Sequence, residues 1–286
     1  MKMAVIGCGL IGGSMALSWE RAGIVDEVIA FGHNPATLQK ALDKGAADTV
    51  TTSMEEAVKD ADIVVSAVPV EAMESVFTEM APFLKSDAVV TDVGSTRQTV
   101  IAAARKGLGD KFHQYAPAHP IAGGEMPGVD YASADLFDEK VVISTPDEGM
   151  DPKVVTFIEE AWRKAGARVQ AMSPLQHDLT FASVSHLPHV LAYALVDMIA
   201  REENAQEKLK MAGAGFRDFT RIASSSPVMW RDICLSNREA LSHELERYRA
   251  SLDTLQKYID ESDGKALESV FENAVRNRRG LVFPGK

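Results

Sequence analysis

A histidine stands at the end of a predicted strand, where it could accept a proton from a bound substrate. His119 lies in the segment YAPAHPIAGGE. Imidazole titrates near neutral pH, and histidine is therefore the usual general base. Ser95, in the segment DVGS, follows another predicted strand and could hydrogen-bond the same substrate oxygen. A lone histidine is more often structural, but the nucleotide-binding turn described next favours a catalytic role for this one.

The segment VIGCGLIGG, residues 5–13, predicts a dinucleotide-binding turn. Three glycines in the pattern GxGxxG separate an apolar strand from a helix. Such glycines allow a tight bend, a close approach to a pyrophosphate and close packing of the helix on the strand. The free N–H groups and positive dipole of the helix N-terminus then favour the phosphates. The predicted cofactor-binding residues are Gly7, Gly9, Leu10, Ile11 and Gly12 in this turn, with Val68, Pro69 and Gly94 at the ends of later strands.

The end of the second predicted strand carries no acidic residue. An Asp or Glu about 20 residues after the glycine turn would bind the ribose 2′-hydroxyl of NAD and repel a 2′-phosphate. Gly32 occupies that place, and His33 and Asn34 follow it. The glycine leaves space for a 2′-phosphate, and the next two side chains can donate hydrogen bonds to it. These three residues predict a preference for NADP over NAD, although His33 could instead be a solvent-exposed loop residue.

A second group of polar residues lies in the segments SHLPH and GFRDFTR. Arg217 and Arg221 are four residues apart, which predicts that they share one helical face, and Asp218 could hold the guanidinium of Arg221. Paired arginines in an acidic protein indicate an anionic substrate, because guanidinium binds carboxylate in a bidentate way. A solvated charged face explains the same pattern equally well.

The histidines of the segment SHLPH surround a proline inside a long apolar helix. Pro188 removes a backbone hydrogen bond and is expected to bend that helix. The bend would change the directions of Ser185, His186 and His189, which are therefore candidate substrate-binding residues.

The elements that must position these residues fall into two parts. Strand and helix patterns alternate over residues 1–172, which predicts an α/β domain with a doubly wound parallel sheet. Ligands of such sheets bind beyond the carboxyl ends of the strands. From Ser173, a capping box introduces helices that continue almost to the end of the chain. The extensively apolar helices of residues 173–286 predict a homodimer built by this second domain.

Composition restricts the class of protein further. The 286 residues carry a formal net charge of −11, which argues against a nucleic-acid partner. Cys8 and Cys234 give neither a disulfide framework nor the spacing of a metal site. The predicted first strand begins at Lys2, so we expect no signal peptide, and we expect no apolar run that approaches the roughly 20 residues needed to span a bilayer. We expect a cytoplasmic protein without a metal.

Taken together, these motifs resemble the prephenate/arogenate dehydrogenase family of tyrosine biosynthesis. The resemblance covers nearly the whole chain and rests on the segments VIGCGLIGGS, AVPV, TDVGSTR, HPIAGGE, SHLPH and GAGFRDFTRIASSSPVMWRD. It implies a Rossmann domain followed by a helical dimerisation domain. It also implies oxidative decarboxylation of a cyclohexadienol: a hydride passes to NAD(P), carbon dioxide leaves and the ring becomes aromatic.

The resemblance also implies roles for individual residues. His119 would deprotonate the ring hydroxyl with Ser95 as its hydrogen-bonding partner. Arg221 would bind a substrate carboxylate, oriented by Asp218, and His189 would help hold the substrate. The other residues implied at the pocket are Ser185 and His186 beside His189, and Glu125 and Trp230, which would line or gate it. The missing acid at Gly32 departs from familiar members and puts their use of NAD in doubt here.

Three questions stay open at this point. Prephenate and arogenate differ in one functional group, and analogy with NADP-linked members favours arogenate or dual use. Another NADP-dependent oxidoreductase of small acids or imines could have the same domain layout. A non-catalytic NADP-sensing protein would keep the glycine turn without the catalytic residues.

Overall fold

Eight strands form one sheet in the N-terminal part of the chain. The computed structural model describes residues 1–124 and 126–281. The spatial order of the strands is β3-β2-β1-β4-β5-β6-β7-β8. The strands are β1 Lys2–Ile6, β2 Glu27–Phe31, β3 Thr49–Thr51, β4 Ile63–Ser66, β5 Val89–Asp92, β6 Tyr115–Pro120, β7 Val141–Ser144 and β8 Arg168–Ala171.

Helices follow most of these strands and cover both faces of the sheet. They are α1 Leu10–Arg21, α2 Pro35–Asp43, α3 Met54–Val58, α4 Met73–Met80, α5 Gln98–Leu108 and α6 Pro152–Lys164. One buried cluster includes Trp19 and Trp162, which meet edge to face with ring centroids 5.5 Å apart. The cluster on the other face includes Phe77 and Tyr115. The predicted doubly wound sheet is confirmed, and the short elements β3 and α3 were not predicted.

Two strands, β7 and β8, depart from the parallel arrangement predicted for the whole sheet. β7 runs antiparallel to β6, whereas β1 to β6 are parallel and β8 is parallel to β7. The link from β6 to β7 contains a 3₁₀ turn at Val129–Tyr131 but, in its described residues, no crossover helix. Without such a crossover, the chain enters β7 from the end at which it left β6, and antiparallel pairing results.

The remainder of the described chain is helical. Its helices are α7 Pro174–Phe181, α8 Leu187–Ala200, α9 Ala205–Lys210, α10 Ala214–Thr220, α11 Pro227–Ser236, α12 Arg238–Asp260 and α13 Gly264–Arg279. A π-helical turn at Ala182–His186 joins α7 to α8, and Pro188 lies in the first turn of α8. The proline lacks an N–H group, so the backbone hydrogen-bond pattern of the helix changes just before it. The expected irregularity is therefore present, as a π turn at the start of α8.

The continuous segment Pro174–Ala200 is apolar and long enough to cross a membrane by length and composition. The expectation that no apolar run approaches this length is therefore wrong. Only 22% of its most apolar window is buried within one chain. Large apolar side chains are also exposed at Val184 and Met198 on this segment and at Phe271 on α13. A second copy, as predicted for this domain, would cover such surfaces.

The glycine turn forms the bend between β1 and α1. Gly7 has a φ of +92°, which is costly for any residue with a side chain. A Cβ atom at Gly12 would lie 2.6 Å from the carbonyl oxygen of Gly7, whereas a Cβ at Gly9 would have no atom within 4 Å. Gly12 therefore serves the packing of α1 on the turn, and Gly9 faces open space.

This contrast predicts unequal effects on stability. Gly12→Ala should lower the free energy of unfolding by about 2–3 kcal/mol or more, since the contact is with backbone that cannot move aside cheaply. Gly9→Ala, the matched control at the helix N-cap, should cost less than about 1 kcal/mol. Urea denaturation of both variants measures the difference. Equal losses would contradict the packing role of Gly12.

Candidate active site

The carboxyl ends of the parallel strands bring the predicted catalytic and cofactor residues to one edge of the sheet. The glycine turn follows β1, Val68 and Pro69 follow β4, and Gly94 and Ser95 follow β5. His119 is near the end of β6. A Cβ atom at Gly124 would lie 3.3 Å from Cδ2 of Leu10, so the loop after His119 rests against the start of α1. This edge is where a doubly wound sheet binds ligands.

The start of α1 fits a dinucleotide pyrophosphate. Gly9 is the N-cap residue, and neither a side-chain cap nor an acidic residue occupies the first turn. The N-terminal N–H groups and helix dipole are therefore available to an anion. The open space at Gly9 allows that anion to approach the backbone closely. Leu10 and Ile11 are half-buried in the first turn, at the places predicted for cofactor contact.

The residues on which the cofactor preference was predicted follow β2, and one of them also caps a helix. Gly32 follows the last residue of the strand, and His33 is exposed with its ring edge to face with Phe31. The Oδ1 atom of Asn34 accepts hydrogen bonds from the backbone N–H groups of Ala36 and Thr37 and caps α2. Asn34 therefore has a structural role that the sequence analysis did not assign, while its amide N–H groups keep their capacity to donate.

A buried ion pair lies beneath the site. Arg97 and Asp92 are both fully buried, and their Nη2 and Oδ2 atoms are 2.6 Å apart. The hydroxyl of Tyr115 donates to Asp92 Oδ1 at 2.6 Å, and Arg97 Nη1 donates to the carbonyl oxygen of Ala118 at 3.3 Å. Removing one partner of such a pair typically costs about 3–5 kcal/mol. The pair therefore fixes the end of β5 against the strand that carries His119.

The hydrogen-bond partner of His119 differs from the expected one. His119 Nδ1 lies 2.7 Å from His177 Nε2, and His177 Nδ1 lies 2.9 Å from Asp178 Oδ1. Within residues 1–124 and 126–281, no hydrogen bond joins Ser95 to His119. Nδ1 of His119 is instead occupied by His177, which α7 places against β6. The expectation of Ser95 as the direct partner of His119 is therefore corrected.

Asp178 is held by groups from the sheet domain. Its Oδ1 accepts from the backbone N–H of Arg97 at 2.7 Å, and its Oδ2 accepts from the backbone N–H of Gln98 at 2.9 Å. Burial acts to raise the pKa of Asp178, but hydrogen bonds from His177 and from these two N–H groups outweigh it and lower the pKa. The carboxylate is therefore ionised. Neither His177 nor Asp178 was among the predicted site residues.

Burial keeps His119 neutral. Desolvation lowers its pKa well below 6.5, and the electrostatic effects of His177, Arg97 and His186 lower it further. Desolvation also lowers the pKa of His177, against the opposing effect of Asp178. At neutral pH the His119 imidazole is therefore in the form that accepts a proton.

The helical domain supplies a wall of two further histidines and a tryptophan. His189 stacks on Trp230 with ring centroids 3.6 Å apart, and its Nδ1 donates to the carbonyl oxygen of Ser185 at 2.9 Å. His186 Nδ1 lies 3.1 Å from Asn237 Nδ2, and burial lowers the pKa of His186 to about 4. Both rings therefore have one nitrogen fixed by the protein, and both are neutral at pH 7.

The two arginines lie at the end of one helix. Arg217 belongs to α10, and Arg221 is the residue directly after it, where a 3₁₀ turn, Arg221–Ser224, begins. Arg221 is exposed. Burial lowers the pKa of His189, and the charge of Arg221 lowers it further. Arg217 and Asp218 are exposed on α10, and Glu125 lies outside the described residues.

The described part of the chain contains no group of three or more His, Cys, Asp or Glu residues that could hold a metal ion. The four histidines of the site instead make hydrogen bonds and ring contacts with other residues. The arrangement offers a neutral base, a nucleotide-binding turn and an exposed cation.

Known proteins combine the same two parts over nearly the same length. The family model of the prephenate dehydrogenase nucleotide-binding domain matches residues 15–171, and that of the prephenate dehydrogenase dimerization domain matches residues 173–273. The chain belongs to the prephenate dehydrogenase family. Members of this family are NAD(P)-dependent oxidoreductases, and the resemblance drawn from the motifs is confirmed.

Individual relatives support this membership. The chain is 36% identical over 281 residues to the cyclohexadienyl dehydrogenase of Zymomonas mobilis, covering 98% of this chain and 95% of that protein. The prephenate dehydrogenase of Aquifex aeolicus, solved with hydroxyphenyl propionate and NAD+, superposes with a TM-score of 0.90 at 35% identity and 98% coverage of both chains. The arogenate dehydrogenase of Synechocystis superposes with a TM-score of 0.81 at 27% identity, covering 99% of this chain and 100% of that one. Neither alternative function gains support from these likenesses.

Proposed function

We propose that the chain catalyses the NAD(P)-dependent oxidative decarboxylation of arogenate, prephenate or both, with His119 as the general base. Residues 1–172 would bind the dinucleotide, and residues 173–286 would bind the substrate and form a homodimer. The observation that carries the proposal is the neutral His119 imidazole at the cofactor edge of the sheet. The nicotinamide, when bound, accepts the hydride from the ring carbon that bears the hydroxyl.

The chemistry of this reaction assigns separate tasks to the protein residues. His119 Nε2 accepts the proton of the ring hydroxyl, which favours formation of the carbonyl as the hydride leaves. Ser95, half-buried at the end of β5, hydrogen-bonds the same substrate oxygen. The ring carboxylate then leaves as carbon dioxide, and the ring becomes aromatic.

Substrate binding is assigned to the helical domain. Arg221 pairs with a substrate carboxylate, with Asp218 beside it and Arg217 adding positive charge. His189 is oriented by Ser185 and stacks on Trp230, so its Nε2 is free to meet the substrate. His186 supports this wall, and Glu125 is proposed to line or gate the pocket.

Arogenate, or use of both substrates, is the proposed specificity. It rests on the proposed NADP preference, by analogy with NADP-linked arogenate enzymes. We further propose a cytoplasmic enzyme without nucleic-acid or membrane partners, whose homodimer covers the exposed apolar surfaces of the helical domain.

The general base is tested by His119→Asn. The turnover number kcat should fall by about 10²–10⁴-fold, because loss of a general base acts in the transition state. KM should change little. Steady-state kinetics with arogenate and prephenate measure both constants, and a variant that keeps most of its turnover would remove His119 from the mechanism.

The carboxylate clamp is tested by Arg221→Ala. KM should rise by about tenfold or more, since a charge-assisted pair contributes roughly 1.5–3 kcal/mol. The matched control is Arg163→Ala, which removes an exposed arginine of α6 that pairs with Glu159. An effect on kcat alone, or equal effects in the two variants, would refute the clamp.

Cofactor preference is tested at Gly32. Gly32→Asp should shift the NADP/NAD ratio of kcat/KM toward NAD by about 1–3 kcal/mol, the scale of a charge-assisted hydrogen bond. A Cβ atom at this position would lie 3.3 Å from Leu38 Cδ2, so the substitution also has a steric component. Gly32→Ala adds the same Cβ without the charge and isolates the effect of the carboxylate. A wild type that prefers NAD would refute the proposal.

A further inference from the structure

The hydrogen bonds around His119 form a chain that ends at a carboxylate. Asp178 accepts from His177 Nδ1, and His177 Nε2 contacts His119 Nδ1 at 2.7 Å. His177 and Asp178 are both buried, with exposed fractions of 0% and 1%. His119 belongs to β6 and the other two residues to α7, so this series of hydrogen bonds crosses from one domain to the other.

The ionised Asp178 determines where the protons lie in this series of hydrogen bonds. The Asp178 carboxylate is ionised and can only accept, so His177 Nδ1 must carry a hydrogen. A neutral His177 then has an unprotonated Nε2, which can only accept. His119 Nδ1 must therefore be the donor, and the lone pair of His119 Nε2 is left for the substrate hydroxyl.

A protonated His177 would reverse this result. It would donate from both nitrogens, and His119 Nδ1 would have to accept, which places the hydrogen of a neutral His119 on Nε2. That form cannot take a proton from the substrate. Burial of His177, which favours its neutral form, opposes this state.

Asp178, at the end of this series of hydrogen bonds, is itself held by donors from two parts of the protein. The backbone N–H groups of Arg97 and Gln98, at the start of α5, donate to the two oxygens of Asp178. Asn237 Nδ2 donates to the carbonyl oxygen of Asp178 at 2.8 Å. The orientation of the carboxylate is thus set independently of the histidines.

We propose that His177 and Asp178 are positioning residues that hold His119 in the tautomer with hydrogen on Nδ1. They touch neither the substrate nor the cofactor and take up no proton during the reaction. This inference rests on the proposed function of His119 as the base and explains how its Nε2 is kept unprotonated.

The tautomer can be measured directly in the wild-type enzyme. ¹⁵N NMR of imidazole-labelled protein at pH 7.5, without substrate, should show His119 with protonated Nδ1 and unprotonated Nε2. The His119→Asn spectrum assigns the signals. A His119 with hydrogen on Nε2 would overturn the proposal without any measurement of activity.

Two substitutions at His177 separate positioning from packing. His177→Gln keeps an amide oxygen that can accept from His119 Nδ1, whereas His177→Phe fills the space without an acceptor. We expect kcat to fall by about 10²-fold or more in the Phe variant with little change in KM, the scale of general-base loss. The Gln variant should recover most of that loss. Equal kcat values for the two variants would refute the positioning role.

A third comparison distinguishes failure of this inference from failure of the proposed function. His177→Phe should add almost nothing to the loss caused by His119→Asn, because residues that act as a unit are not additive. If His119→Asn keeps its turnover, the proposed base is wrong. If His119→Asn is inactive but His177→Phe is fully active, only the positioning role is wrong. The NMR measurement decides the question even if the Phe variant does not fold.

Discussion

The site depends on the hydrogen bonds that the buried carboxylate of Asp178 accepts. It lies at the start of the helical domain and accepts hydrogen bonds from the first residues of α5 in the sheet domain. A buried charge is costly unless it is hydrogen-bonded, so these bonds between the two domains stabilise the carboxylate. Thr99 adds a hydrogen bond to the carbonyl oxygen of Ser236 across the same junction. These hydrogen bonds hold the start of the helical domain against α5.

The histidines of the site are neutral, and its positive charges belong to Arg97 and Arg221. Desolvation lowers the pKa values of His119, His177, His186 and His189. Arg97 is paired with Asp92 beneath the sheet edge. Arg221 is exposed in the helical domain, and its charge contributes to lowering the pKa of His189. In the proposed function, Arg221 pairs with a substrate carboxylate while the neutral His119 accepts the proton.

The sequence predicted the parts of the site that depend on local patterns. The glycine turn, the strand ends and His119 follow from spacing within short segments, and the structure places them at one edge. His177 and Asp178 could not be identified in this way, because α7 meets β6 only in the tertiary structure. Arg97 was visible in the motif TDVGSTR, but its buried pairing with Asp92 was not. The antiparallel pairing of β7 with β6 depends on a long link whose described residues contain no crossover helix, and spacing within short segments does not reveal this.

The central claim is that a neutral, half-buried His119 accepts the substrate proton. The pH dependence of kcat/KM at saturating cofactor tests it most directly, because this ratio reports the titration of groups in the enzyme before substrate binds. Since the unprotonated form is active and burial depresses the pKa of His119, kcat/KM should stay constant as the pH falls to 6.5. It should decline only at lower pH, as His119 becomes protonated. An acidic limb with an apparent pKa above 6.5 would contradict the account.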